Sequence, residues 1–194
     1  MHRTLIALAI VLTLLPAATA SAADLTCPLA SDALVAQAVG SPVTGGIMAD
    51  PLDPTKPLAT PSGETVCMWD TASGEAVFLS QQLNAFGPGG AANATALAIK
   101  MARLPAEARA EVDALREAGV SDIQLPTVQI STTGGFGDGA AWLFQTLPSL
   151  DISSGGFVVQ RGVDALFFGI TANDEGSART NASQLARAVL ANLP

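Results

Sequence analysis

The sequence predicts an α+β fold, a single antiparallel sheet of about five strands with helices packed on one face, closed by one disulfide. Three observations carry this expectation. Strand-like segments fall in two groups with helical segments between and after them, not in strict alternation, which points away from a parallel sheet. Cys27 and Cys67 form an even pair. A length of 194 residues, 49% hydrophobic and 13% charged, suits one domain with a sizeable core.

The chain opens with the layout of a secretory leader. His2 and Arg3 precede an apolar run from Leu5 to Leu15, Pro16 follows, and then a stretch of small residues. Residues 1–22 therefore read as a signal peptide cleaved after Ala20-Ser21-Ala22, and residues 23–194 as a single α+β domain. The apolar run is too short for a membrane anchor, and no later run reaches the ~18 apolar residues of a transmembrane segment. The expected location is secreted or periplasmic. A lipid anchor on Cys27 is disfavoured because Asp24 and Thr26 stand where a lipobox has Leu and a small residue. In an oxidising compartment Cys27 and Cys67 read as a structural cystine. Closing a loop of about 40 residues would add roughly 4 kcal/mol.

Ser31 caps a short helix from Asp32 whose inner face is Leu34, Val35, Ala38 and Val39, and Gly40 stops it. Residues 50–63 carry four prolines and read as an exposed loop or extended arm within the domain. Thr65–Asp70 and Glu75–Leu83 form an antiparallel pair, with Thr65, Cys67 and Trp69 on one face. After the turn Gly87-Pro88-Gly89-Gly90, a helix runs from about Ala92 to Arg103 with Leu97, Met101 and Leu104 inward. Pro105 breaks it, and a second helix continues to about Ala118 with Val112 and Leu115 inward. Pro126–Gly139 reads as turn-rich. Ala140–Thr146, Gly156–Arg161 and Val163–Ala172 are strands, the last two a hairpin around Arg161-Gly162. A closing helix from about Ala178 presents Leu185, Val189 and Leu193. The two halves, each a meander followed by a helix, resemble each other only loosely.

The composition excludes more chemistry than it offers. Nine Lys and Arg against 17 Asp and Glu give a formal charge of −8, which argues against nucleic acid as a partner. The only histidine is His2, within the leader, and there is no tyrosine. Histidine-based nucleophile sites and imidazole metal centres are thereby removed from the mature chain. Lys56 and Lys100 are the only lysines, and no S-x-x-K pattern offers a Ser–Lys dyad. Paired carboxylates remain, with Asp138, Asp151, Asp164 and Asp174 at strand ends or in loops. Such acids are more often turn residues. Asp50 and Asp53 have too few acidic neighbours for a calcium site. Gly134–Gly139 likewise reads as a loop before a strand, not a phosphate cradle.

Trp69 and Trp142 lie in apolar strands, with core packing as the first reading and a binding platform as the second. Phe167 and Phe168 must point to opposite faces, so Phe168 joins them as a binding candidate if one face is open. Asn93 and Asn181 fall at expected helix starts and read as capping residues. The expected site is thus Trp142, Phe168 and Trp69, with Cys27 and Cys67 bridged, no catalytic residue, no metal and no cofactor.

Cys27 to Gly40, Cys67-Met68-Trp69, Gly137-Asp138 ahead of Ala140-Ala141, and the closing Leu185-Ala186-Arg187 helix together carry a resemblance. The chain resembles the small exported α+β proteins of unknown function common in actinobacteria, many of them lipoproteins, which are similar to extracellular sensor domains. The resemblance implies a ligand- or partner-binding envelope protein. The function expected is a monomeric, non-catalytic binding or interaction module of the bacterial cell envelope, its partner a protein or small molecule. A carboxylate-dependent glycan hydrolase and an inhibitor of a secreted enzyme, offering residues 50–63, are the alternatives.

Overall fold

A computed structural model describes residues 26–50, 53–60, 63–102, 113–114, 117, 127–147 and 152–193. In chain order the elements are α1 (Asp32–Val39), β1 (Val43–Ile47), β2 (Ala49–Asp50), β3 (Asp53–Pro57), β4 (Thr65–Thr71), β5 (Ala76–Gln82), α2 (Ala91–Ala102), β6 (Thr127–Thr133), β7 (Gly139–Leu147), β8 (Ile152–Arg161), β9 (Asp164–Ala172) and α3 (Glu175–Asn192). The leader, the second helix expected before Ala118 and Asp151 lie outside the described residues or nearly so.

Seven strands form one antiparallel sheet in the order β1-β4-β5-β9-β8-β7-β6, and β2 and β3 form a separate hairpin. The α+β class and the disulfide thus match the sequence, while the strand count rises from about five to seven. The two added strands are instructive. In β1 the pair Gly45-Gly46 conceals a strand behind low β-propensity. In β6 the alternation of Val128 and Ile130 was present but lay among turn residues. The proline-rich segment is not wholly a loop either, because Asp53–Pro57 pairs with Ala49–Asp50.

Helices cover both faces, which corrects the one-faced arrangement. On the larger face, one row of paired residues crosses the whole sheet: Ile47, Cys67, Leu79, Phe168, Phe157, Trp142 and Ser131. α1 packs there through Val35 and Ala38, and α3 through Ala178, Ala182, Leu185, Ala186 and Val189. The opposite face buries Phe78, Ala141, Leu143, Val158 and Phe167 against α2. The α2 stripe is Ala94 and Ala98, small enough for close approach, with Leu97 and Met101 only partly buried beside it. A large-residue stripe is what 3.6-residue periodicity finds most easily, so this small one escaped notice.

The helix ends follow capping rules. The Ser31 hydroxyl accepts from the Leu34 amide, and Gly40 ends α1 at φ 72°. Asp174 caps α3 by accepting from the Ser177 amide at 2.9 Å and its hydroxyl at 2.7 Å. This cap starts α3 three residues ahead of the position expected from its apolar stripe. Asn181 consequently lies inside α3, and Asn93 uses its amide for the Gly87 carbonyl and Gln160 and not for a cap.

Candidate functional site

The aromatic candidates all face the larger core. Trp142 is 1% exposed, and Trp69 and Phe168 are fully buried. Each indole N–H reaches an acid in the first turn of a helix: Trp69 Nε1 donates to Asp32 Oδ1 at 2.7 Å, and Trp142 Nε1 to Glu175 Oε1 at 2.9 Å. A buried indole needs such an acceptor, and these two bonds fix α1 and α3 on the sheet. The Trp142 ring lies 4.8 Å from Phe157 and carries the Arg179 guanidinium at 5.4 Å. Phe136 is enclosed in the same way by Phe157 and Arg187. The structure therefore gives these aromatics to packing and leaves them no solvent-facing surface. Cys27 and Cys67 are bridged with Cα atoms 5.9 Å apart, tying the segment before α1 to β4.

The carboxylates are engaged in backbone geometry. An Asp138 carboxylate oxygen accepts from the Gly162 amide, while its own amide donates to the Gln160 carbonyl at 2.8 Å. Asp164 accepts from the Asn84 amide at 2.9 Å and from Gln81 Nε2 at 3.3 Å. Glu75 closes the β4–β5 turn, accepting from the hydroxyls of Ser73 and Thr71. Those hydroxyls, Ser73 first, hold its carboxyl below the ordinary glutamate value. Donation from Ser177 likewise lowers Asp174. Each acid thus has a positioning role in a turn or cap. Lys100 is exposed on α2, so it has none of the burial a Ser–Lys dyad requires. Among the described residues no group of His, Cys, Asp and Glu is placed to hold a metal ion.

A surface that the sequence reading missed lies at one end of the sheet. The loop after β5 and the β8–β9 turn meet there, held by the Phe86 amide donating to the Val163 carbonyl at 2.9 Å and by the Asn84–Asp164 bond. Gln160, buried, ties two loops and the start of α2 together: its Nε2 donates to the carbonyls of Gly87 and Gly162, and its Oε1 accepts from Asn93. On this braced tip Leu83 is 60% exposed and Val163 48%, with Phe86 half-buried beside them. Asn84 adopts a left-handed φ of 53°, which turns the chain and leaves Leu83 facing water. The available signal was Val163 after Gly162, an apolar residue in a hairpin turn where polar ones are usual.

Elsewhere, an open depression of about 700 Å³ is lined by residues 26–34 and Asn192. On the α2 face the hydroxyl of Ser154 is buried without a hydrogen-bond partner. No helix among the described residues is long and apolar enough to cross a membrane. No known protein family matches the chain, and no curated protein is significantly similar to it in sequence.

Proposed function

We propose that this protein is an exported, non-catalytic interaction module of the bacterial cell envelope, secreted or periplasmic, that engages a protein partner through the tip formed by Leu83, Phe86 and Val163. The observation that carries the reading is the pairing of exposed apolar side chains with a rigid support. Loops held on a firm scaffold are where binding residues concentrate. Here backbone bonds and the buried Gln160 hold the loops, so little ordering entropy is lost when a partner docks. Asp138 and Asp164 rim the apolar centre. An apolar centre with a polar rim is the ordinary anatomy of a protein interface. The cystine supports an oxidising destination. Engagement of Asp138, Asp164 and Asp174 in turns and caps, with no histidine after His2, supports a role without catalysis.

The test is site-specific photocross-linking in the native envelope, with the cross-linking residue at Val163 and, as a control, at exposed Thr44 on β1. The proposal expects a discrete protein adduct from position 163, absent from position 44 and lost on Leu83→Ser. Equal labelling from both positions, or none, overturns it.

A further inference from the structure

We propose that two copies of this chain pair through β6 into one continuous antiparallel sheet, a conclusion independent of the tip and different from the monomer expected above. β6 ends the strand order, and among the described residues no strand lies beyond it. Thr127, Gln129, Ser131 and Thr132 are exposed, so their side chains are left uncovered. All seven residues pair with β7 in unbroken register from Thr127↔Thr146 to Thr133↔Ala140. Natural edge strands are usually blunted by a charge, a proline or a bulge. β6, Thr-Val-Gln-Ile-Ser-Thr-Thr, has none of these.

A second copy is the occupant that this edge suits. A two-fold axis through Ile130, normal to the sheet, sets Ile130 opposite itself, Val128 opposite Thr132 and Gln129 opposite Ser131. Every pair joins residues of the same face, as an isologous interface requires. The pairs are β-branched or polar and bring no like charges together. That neutrality matters in a chain of formal charge −8, where most approaches of one copy to another set acids against acids. The other outer strand, β1, is weaker as a template, having only five residues and two central glycines.

The helix layer supports the same axis. Thr95 Oγ1 of α2 lies 3.4 Å from Thr132 Oγ1 of β6, so this side of α2 borders the outer strand. One turn further along that side stands Ile99, 40% exposed. The two-fold keeps both α2 helices on one side of the joined sheet and directs both Ile99 side chains toward the seam.

Size-exclusion chromatography with light scattering on the oxidised chain tests this at micromolar to sub-millimolar concentration. The expected mass is twice that of one chain. Gln129→Lys with Ser131→Lys places ammonium groups opposite each other and should halve the mass, with the thermal melt read by circular dichroism showing that the fold persists. Gln129→Lys with Ser131→Glu places opposite charges across the axis and should restore the dimer. Thr44→Lys, on β1, should leave it unchanged. A monomeric parent chain, which would leave the edge to a strand of another protein, overturns the proposal. So does a dimer that survives the double lysine variant, or a Lys–Glu variant that stays monomeric.

Discussion

Gly155→Ala should destabilise this protein although it adds one methyl group. A Cβ built at Gly155 lies 2.5 Å from Trp142 Cη2, 2.7 Å from Cζ2 and 3.1 Å from the Ala178 Cβ. Carbon atoms prefer roughly 3.5–4.0 Å, so the indole would have to retreat by about 1 Å. It is hemmed in: Glu175 holds its N–H, Arg179 lies above it and Phe157 packs beside it. Overpacking of this kind costs about 1–3 kcal/mol. Loss of the bond to Glu175 would add about 1–3 kcal/mol for an orphaned donor. The alanine offsets about 0.4–1 kcal/mol by restricting the unfolded chain. The net expectation is about 1–6 kcal/mol, or a Tm lowered by about 2–24 °C at the usual 2–4 °C per kcal/mol. Chemical denaturation followed by circular dichroism measures it. Trp142→Phe removes the two clashing carbons, so a double-mutant cycle should show Gly155→Ala costing at least about 1 kcal/mol less in that background. Gly134→Ala, with open space around its Cβ, is the control and should be near neutral. If Gly155→Ala were neutral or stabilising, and additive with Trp142→Phe, the packing argument would be refuted.

The remaining predictions concern the disulfide and three polar groups. Cys27→Ser with Cys67→Ser opens a loop of sequence separation 40 and should cost about 4 kcal/mol in the denaturation midpoint analysis. A loss below about 1 kcal/mol would contradict the loop-entropy account. Asp32→Ala leaves the buried Trp69 N–H without its acceptor and should cost about 1–3 kcal/mol. Asp32→Asn, which keeps an acceptor, should recover most of that in the same measurement. Ser154→Ala removes an unpartnered buried hydroxyl and should be neutral or stabilising by up to about 1 kcal/mol, and a clear loss of stability would show that the hydroxyl is satisfied. Glu75→Gln should be less stable than the parent at neutral pH. The folded carboxyl is held below its ordinary value of 4.5, so its contribution is full above about pH 4.5 and is lost as pH falls through the depressed folded value. Thermal melts of both proteins across acidic pH should converge, and a gap that widens on acidification would reverse the sign.

The parts of the fold legible in the sequence are those where one local rule dominates. α1 is bracketed by Ser31 and Gly40, and the β8–β9 hairpin by Gly162 between two β-rich runs. Alternation correctly placed Phe167 and Phe168 on opposite faces. Strands were lost where composition and pattern disagreed, as at Gly45-Gly46 in β1. The second helix layer was lost for a different reason. Whether Ala94 and Ala98 face a sheet or solvent depends on what passes beneath them, and that is a long-range fact. The candidate site suffered most. Trp69, Trp142 and Phe168 were conspicuous by residue type, yet large aromatics are where burial contributes most, and all three are enclosed. Leu83 looks ordinary in sequence and Val163 signals only by its place in a hairpin turn, and the two stand out as a pair once Asn84, Asp164 and Gln160 are seen to hold them in water.

Export, the cystine and a tip-bound partner are tested together by intact mass spectrometry, under native conditions, of the protein recovered from its host's cells and culture fluid. One spectrum reports the start of the mature chain, the oxidation state of Cys27 and Cys67, and any retained companion. The expected species is a chain beginning near Ala23, lighter by two hydrogens, and carrying a protein companion that Leu83→Ser with Val163→Ser removes. An uncleaved chain with free thiols, or a companion other than a second copy of the chain that is indifferent to those two substitutions, would contradict this reading.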